Sequence, residues 1–360
     1  MPDQKIKSSK TLTVAIATFN STRTLEQVLD ALIQQSIWDH ESCEILVVDG
    51  GSTDHTLTIA KRFKCRILHN PQRQPVYAKF LALQHAHGKY ISYLDHDEVL
   101  VNSDSLLHKV HILQKNKNTQ AVITSGYRSP IGLPFVNTYI NEFGDPFSWF
   151  IYNLSKDERF FINIMKNRYS TLDENNQYLT PKLDQNSHLP IIELVAAGSM
   201  INRKYFLDKN PELSRDPNLI PHLFYLLREH NQNIAILKDD PILHYSSDHF
   251  LNYLQKIRWR IVNNIHNHSE LASAGFTGRN SYENSWLKWK KYLYIPYAFS
   301  IILPIVTSFY FIWTRKNFGY IQHIPLTLYT ASHIVIEMLK KIFQFKSPLK
   351  SYDGKTEIRL

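Results

Sequence analysis

Residues 90–98 constrain this chain of 360 residues more than any other stretch. Tyr90, Ile91, Ser92, Tyr93 and Leu94 read as a buried strand, and they run directly into Asp95, Asp97 and Glu98. A strand that ends in carboxylates presents them at the carboxyl edge of a sheet, where open α/β folds bind their ligands. Oxygen-rich clusters there suit Mn²⁺ or Mg²⁺ carrying a substrate's phosphates, since such hard ions take one or two carboxylates plus phosphate oxygens. An exposed acidic turn reads equally well from these residues alone, so the rest of the chain has to decide.

Upstream, strand and helix alternate. Thr11–Asn20 reads as a first buried strand. Ser21–Gln35 follows as a helix, with Leu25, Val28, Leu29 and Leu32 on one face. Cys43–Val48 is a second strand running into Asp49-Gly50-Gly51-Ser52-Thr53-Asp54, where Ser52 or Thr53 is placed to cap a helix reaching Phe63. Arg66–His69 is a third strand, and Val76–Ala86 a helix leading into the acidic one. These periods predict a doubly wound, largely parallel sheet. No G-x-G-x-x-G follows the first strand, which argues against a dinucleotide fold. Instead the first, second and fourth strands end in Asn20, in Asp49, and in Asp95 with Asp97. Three polar ends converging on one crevice favour a nucleotide-plus-metal site over coincidental turns.

Ala17-Thr18-Phe19-Asn20, Val47–Asp54, Leu94-Asp95-His96-Asp97 and the approach from Ala78-Lys79 to Ile91 resemble the motif set of family 2 glycosyltransferases with the GT-A fold. Several motifs in the right order make the likeness specific. It implies that Thr18, Asn20, Asp49, Lys79 and Asp95 bind the nucleotide sugar, with Asp49 on the base. Asp95 would contact the ribose or the metal, and Asp97 would hold the metal on the diphosphate. Lys79 departs from the arginine common at its position. The resemblance further implies that Asp216, which precedes a helix with Leu219, Leu223, Leu226 and Leu227 on one face, is the catalytic base; Glu193 and Asp208 are substitutes. A carboxylate favouring a helix N-terminus is the plainer reading of Asp216. His244, after a strand-like run from Ile234, would complete the metal shell. Residues 126–190 show no clean period and read as an acceptor-side insertion.

The last part of the chain is different. Net charge is +9, yet residues 251–360 hold 15 Lys/Arg against 5 Asp/Glu and the rest 26 against 27. A basic, aromatic segment with long apolar runs points to a membrane surface and away from nucleic acid. Gln255, Arg258 and Trp259 form a Q-x-x-R-W set seen in membrane-associated members of the same family, and helical spacing puts them on one face. A guanidinium there would bind diphosphate and an indole would support a sugar ring. Tyr292–Trp313 carries no charge and is long enough to cross ~30 Å of hydrocarbon; Tyr320–Leu339 is a second, less apolar run. Flanking lysines favour a hairpin with both ends cytoplasmic. Re-entrant or interfacial helices are the other arrangement.

The domains expected are therefore a GT-A domain at 11–250, amphipathic interfacial helices at 251–291, membrane-associated helices at 292–343 and a basic tail at 344–360. The polar N-terminus predicts no cleaved secretory signal, and the two cysteines, Cys43 and Cys65, predict free thiols in a reducing compartment. The expected activity is metal-dependent, inverting transfer from a nucleotide-diphosphate sugar to a lipid-linked acceptor, with the catalytic domain on the cytoplasmic side of the cell membrane. A homo-oligomer is allowed. The competing readings are a processive polysaccharide synthase and a degenerate nucleotide-binding scaffold.

Overall fold

The computed structural model describes residues 10–183, 194–247, 249–266, 279, 282–283 and 285–345. Glu193 and the tail beyond Phe345 lie outside them. The chain divides into two units: Met1–Arg128 with Glu158–Tyr245, and Ser129–Asp157 with Ser246–Leu360.

The first unit opens with β1 (Lys10–Thr18), α1 (Leu25–Ile33), β2 (Cys43–Asp49), α2 (Thr56–Arg62), β3 (Arg66–His69), α3 (Pro75–His85) and β4 (Gly88–Asp95). β5 (Glu98–Leu100), α4 (Ser105–Lys115), β6 (Thr119–Ile123) and β7 (Tyr127–Arg128) follow. The chain then leaves to form α5 (Phe135–Phe143) and α6 (Pro146–Tyr152) of the second unit. It returns as α7 (Glu158–Arg168), β8 (Thr171–Glu174), β9 (Tyr178–Pro181), β10 (Ser199–Asn202), α8 (Arg203–Lys209), α9 (Leu223–Glu229), β11 (Asn233–Leu237) and β12 (Ile242–His244). Among the described residues the second unit continues with four α-helices: α10 (Phe250–His266), α11 (Ser285–Phe299), α12 (Ile302–Arg315) and α13 (His323–Ile342).

Nine strands form a mixed sheet in the order β3-β2-β1-β4-β10-β6-β11-β9-β8. β3, β2, β1 and β4 are parallel, as their continuous apolar runs require: every residue of β2 is buried. β10 then enters antiparallel to both β4 and β6, which makes the sheet the doubly wound, mixed one expected of a GT-A fold. A small sheet, β5-β12-β7, sits beyond the end of β4. Leu25, Val28, Leu29 and Leu32 of α1 are buried as their spacing predicts.

Gly88, at the start of β4, shows how closely the central strands are packed. A Cβ there would stand 2.4 Å from the Thr13 nitrogen and 2.6 Å from the Leu12 carbonyl carbon, and backbone cannot yield as a side chain can. Gly88→Ala is expected to cost about 3 kcal/mol or more of stability, read from the denaturant midpoint.

Two local expectations change. α2 begins at Thr56, and neither Ser52 nor Thr53 caps it; the Asp54 carboxylate accepts the Thr56 N–H at 3.0 Å instead. Burial opposes ionisation of Asp54, but hydrogen bonds from Thr56 and Thr22 outweigh it and hold its pKa at about 2. The run Ile192–Ile201 reads as a strand from its sequence; of its described residues Ser199–Ile201 enter β10, and Leu194–Gly198 form a turn.

In the second unit, Tyr139, Phe143, Tyr253, Phe311 and Tyr320 form an aromatic core. Polar groups are paired inside it. Glu142 accepts from Arg315 Nε at 3.0 Å and from the Tyr320 hydroxyl. The His323 ring bridges the hydroxyls of Tyr139 and Tyr297. The uncharged run Tyr292–Trp313, in which Pro296 and Pro304 are the expected kink sites, is broken into two helices: the axis turns 93° between α11 and α12, with Ile301 at φ +59°. Pro304 supplies the reason. It has no N–H to return to the Ser300 carbonyl, so the helix restarts, and the Ser300 hydroxyl accepts the Leu303 N–H at 3.2 Å. Among the described residues no single helix is long and apolar enough to cross a membrane. Tyr320–Leu339 likewise splits into a 3₁₀ turn, Phe318–Gln322, and α13.

Candidate active site

Because β2, β1 and β4 are parallel neighbours, their carboxyl ends share one edge of the sheet. Thr18 lies opposite Asp49, and Ala17 opposite Asp95, so the polar ends stand at one level across three adjacent strands. Adjacent strands are ~4.8 Å apart, so these polar ends are close neighbours on one edge.

Asp49 is buried, and its carboxylate is already occupied. It accepts from the Thr18 hydroxyl at 2.9 Å, from the N–H groups of Gly51 and Ser52 at 2.9 and 2.8 Å, and from the Ser52 hydroxyl. Asn20, at φ +50°, accepts the Thr53 N–H at 2.9 Å, and its own N–H donates to Ser52 Oγ. Asp49 and Asn20 therefore shape the 49–54 loop from within. Asp49→Ala removes the acceptor of two backbone N–H groups and is expected to weaken nucleotide binding about tenfold or more, measured by calorimetry. Arg73, which sequence reasoning passed over, lies alongside this loop: its guanidinium atoms come within 3.7–4.0 Å of where a Gly51 Cβ would be.

At the next strand end, Lys79 of α3 places Nζ 3.0 Å from Asp95 Oδ1. Lys79 is nearly buried and Asp95 partly exposed, so the pair is held rather than solvated. Asp97 is nearly buried, and His244 at the end of β12 brings Nε2 within 3.6 Å of Asp97 Oδ1. The Tyr245 N–H donates to the Asp97 carbonyl at 2.9 Å, and Arg23 donates to the Tyr245 carbonyl at 2.6 Å, closing the rim. The structure thus brings Thr18, Asn20, Asp49, Lys79, Asp95, Asp97 and His244 to one edge. Among the described residues no three His, Cys, Asp or Glu side chains form a metal-holding cluster. Asp97 with His244 is the pair a cation would use, whereas Asp95 faces Lys79.

Glu98 is the residue that sequence reasoning missed. It is fully buried and receives three donors: the Asp95 N–H at 3.0 Å, the Tyr127 hydroxyl at 2.7 Å and the Ala197 N–H at 3.1 Å. Burial, with the nearby Asp95 and Asp97 carboxylates adding to it, pushes its pKa up to about 8. Tyr127 in turn stacks on His244 with ring centroids 4.6 Å apart. Ala197 and Gly198 are both at positive φ, +55° and +61°, and the Ala197 carbonyl accepts from Thr124 at 3.0 Å. Glu98 so ties the acidic turn, the small sheet and the 197–198 turn together. The signal was Val99 and Leu100: an apolar continuation puts an acidic residue at the head of a buried strand. Glu98→Ala leaves these three buried donors without their acceptor and is expected to cost about 3 kcal/mol or more of stability by thermal or chemical denaturation.

Asp216 lies at the start of the 3₁₀ helix Pro217–His222, which packs against α3. Its Oδ1 accepts the Asn218 N–H at 2.8 Å, the capping role of the plainer reading. Among the described residues Oδ2 has no hydrogen-bond partner, and the side chain is partly exposed. Asp208 is exposed on α8. In the second unit, Tyr253, Ile257 and Ile261 of α10 are buried. Gln255 and Arg258 face outward, with Trp259 partly covered.

A model of the family described as Glycosyl transferase family 2 matches residues 13–208. An uncharacterized glycosyltransferase of Rickettsia prowazekii is 27% identical over 121 residues, 33% of this chain and 37% of that protein. Glycosyltransferase GlyG of Streptococcus pneumoniae is 24% identical over 125 residues, 33% of this chain and 40% of its own length. The chain thus spans well under half of the length of these curated relatives. Among solved structures, the mannosyltransferase PcManGT from Pyrobaculum calidifontis, in complex with GDP-Man and Mn²⁺, is 14% identical. The match covers 93% of this chain and 88% of that one, with a TM-score of 0.52, a likeness of fold.

Proposed function

The chain belongs to glycosyl transferase family 2, and from that footing we propose that it is a metal-dependent inverting glycosyltransferase. It moves a sugar from a nucleotide-diphosphate donor onto a lipid-linked acceptor, a polyprenyl phosphate or lipid-borne oligosaccharide, at the cytoplasmic face of the cell membrane. The observation that carries this reading is the shared level of Thr18, Asp49 and Asp95 across three parallel strand ends, with Asp97 beside His244. The mannosyltransferase of like fold is in complex with GDP-Man and Mn²⁺, which agrees with a nucleotide sugar and a divalent ion.

The donor set fits a cation. One carboxylate and one imidazole, 3.6 Å apart, are two protein ligands, and the mixed O,N pair favours Mn²⁺ over Mg²⁺. Asp97 and His244 would hold such an ion, which would supply charge neutralisation for the leaving nucleoside diphosphate. The 49–54 loop receives the nucleoside. Lys79 keeps Asp95 oriented and offers a cationic N–H toward the diphosphate edge. Asp216 Oδ2 takes the proton of the acceptor hydroxyl as that oxygen attacks the anomeric carbon, and the C1–O bond to the diphosphate breaks on the opposite face. Arg258 and Trp259, in the Q-x-x-R-W set, serve diphosphate and sugar. Free thiols at Cys43 and Cys65 agree with a reducing compartment.

Purified protein with Mn²⁺, offered a panel of nucleotide sugars with polyprenyl phosphate and lipid-oligosaccharide acceptors, is expected to release nucleoside diphosphate with one donor class. Absence of release with every donor and acceptor offered would overturn the reading. Nucleotide binding without turnover would point to a scaffold, and long products on a gel to a processive synthase.

A further inference from the structure

Two helices of the second unit, α12 and α13, carry apolar residues on their exposed faces and polar ones among the buried core. α12 buries Pro304, Ser308 and Phe311, while Ile302, Val306, Phe309, Tyr310 and Trp313 form its exposed face. Ile302 is 69% and Trp313 80% exposed. α13 likewise buries His323, Thr327, Thr330 and Glu337 beside Leu326 and Ala331, and exposes Ile336, Leu339 and Ile342. The buried polar groups are satisfied: the Ser308 hydroxyl donates to the Tyr320 carbonyl at 2.8 Å, and Thr327 to the His323 carbonyl at 2.7 Å. A helix of a water-facing surface shows the opposite arrangement.

Charge follows the same geometry. From Tyr292 to Thr314 no residue is charged, and the 93° turn at Ser300–Ile301 lies within that stretch. Exposed cations stand at the two outer ends, Lys288 on α11 and Lys316 just past α12, with Lys341 at the end of α13. Tryptophans mark the same ends: Trp286 and Trp289 on one arm, Trp313 on the other, all exposed. An indole with one apolar and one polar end favours the headgroup boundary. Lysines beside it meet anionic headgroups, each worth about tenfold or less in binding.

Length decides how deep such an element goes. α12 has 14 residues, about 21 Å of helix at ~1.5 Å each. With each arm near 45° to the surface, the tip reaches about 15 Å, half of the ~30 Å hydrocarbon core. We infer that α11 and α12 form a V-shaped wedge that inserts into one leaflet of an anionic bilayer. Its tip is Phe299–Leu303, and its cationic, tryptophan-bearing ends lie at the headgroups. The wedge anchors the chain without crossing the membrane. A second copy covering the same faces about a two-fold axis would set Lys288, Lys316 and Lys341 against the same lysines, whereas anionic headgroups pair with them.

Resting on the membrane-facing part of the proposed function, this mode of attachment is tested by binding alone, with transfer measured separately. The full chain is floated with vesicles of phosphatidylcholine and phosphatidylglycerol. The expected result is binding that survives high salt, tryptophan fluorescence quenched by lipids brominated in the upper and middle acyl chain, and weaker binding without phosphatidylglycerol. Phe309→Glu, at an exposed position that leaves the core untouched, should weaken binding about a hundredfold. Lys316→Glu with Lys341→Glu should reduce it on anionic vesicles only. A Ser300→Cys variant should resist a maleimide enclosed in the vesicle lumen. Lumenal labelling would show a spanning segment and overturn the wedge. So would absence of flotation together with a concentration-dependent dimer that Phe309→Glu dissolves. Vesicle binding without sugar transfer to any lipid acceptor would leave the wedge standing and remove the proposed acceptor.

Discussion

Asp97→Ala is expected to lower kcat/KM for sugar transfer by about a thousandfold or more, roughly 4 kcal/mol of transition-state stabilisation. Asp97 is nearly buried, at the end of the strand turn, and is the carboxylate that His244 approaches. Losing it leaves one nitrogen ligand and lets the diphosphate leave against uncompensated charge. His244→Ala should cost less, about 10–100-fold, and raised Mn²⁺ should recover part of it, because the carboxylate remains. Steady-state kinetics across a Mn²⁺ titration measure both. Full activity in Asp97→Ala would remove the cation from this position altogether.

The second large effect is at Asp216, where two roles compete and two substitutions separate them. As a cap, Asp216 accepts the Asn218 N–H, and asparagine performs that task about as well as aspartate. As a base, the amide has no proton affinity to offer. Asp216→Asn is therefore expected to keep the melting temperature while lowering kcat by about 10²–10⁴-fold, with the KM for donor little changed. Asp216→Ala should add a loss of about 1 kcal/mol in stability. If Asn keeps wild-type turnover and Ala only destabilises, the residue is a cap and nothing more.

Much of the first unit was legible because its signals are local. β1 to β4 are continuous apolar runs, and α1 carries its stripe at i, i+3, i+4 and i+7. What was not legible depends on distant partners. The antiparallel entry of β10 follows from its contacts with β4 and β6, which no periodicity encodes. Residues 129–157 have no clean period because α5 and α6 bury aromatic residues against helices more than 100 positions later. At the site, residue types gave the location but not the division of labour. Asp49 and Asn20 turn inward to hold a loop. Asp95 is claimed by Lys79, while Glu98, easily taken for one more acid of an exposed turn, is fully buried. In Tyr292–Trp313 the absence of charge measures partition into hydrocarbon, whereas Pro304 acts on the hydrogen-bond ladder and sets where the run bends.

The excursion of the chain at Ser129 has a consequence for how the protein is made. α5 and α6 leave the ribosome early, carrying Tyr139, Phe143 and Trp149, yet the helices that cover these rings begin only at Phe250. At 5–20 residues per second the wait is about 5–20 s. During that time the first unit can complete its own sheet, since β11 and β12 precede the covering helices. The aromatic pair of helices meanwhile has to be sheltered by a chaperone or by a lipid surface. Ending the chain after Tyr245 would make that exposure permanent, so a soluble form of the first unit requires excising residues 129–157 as well.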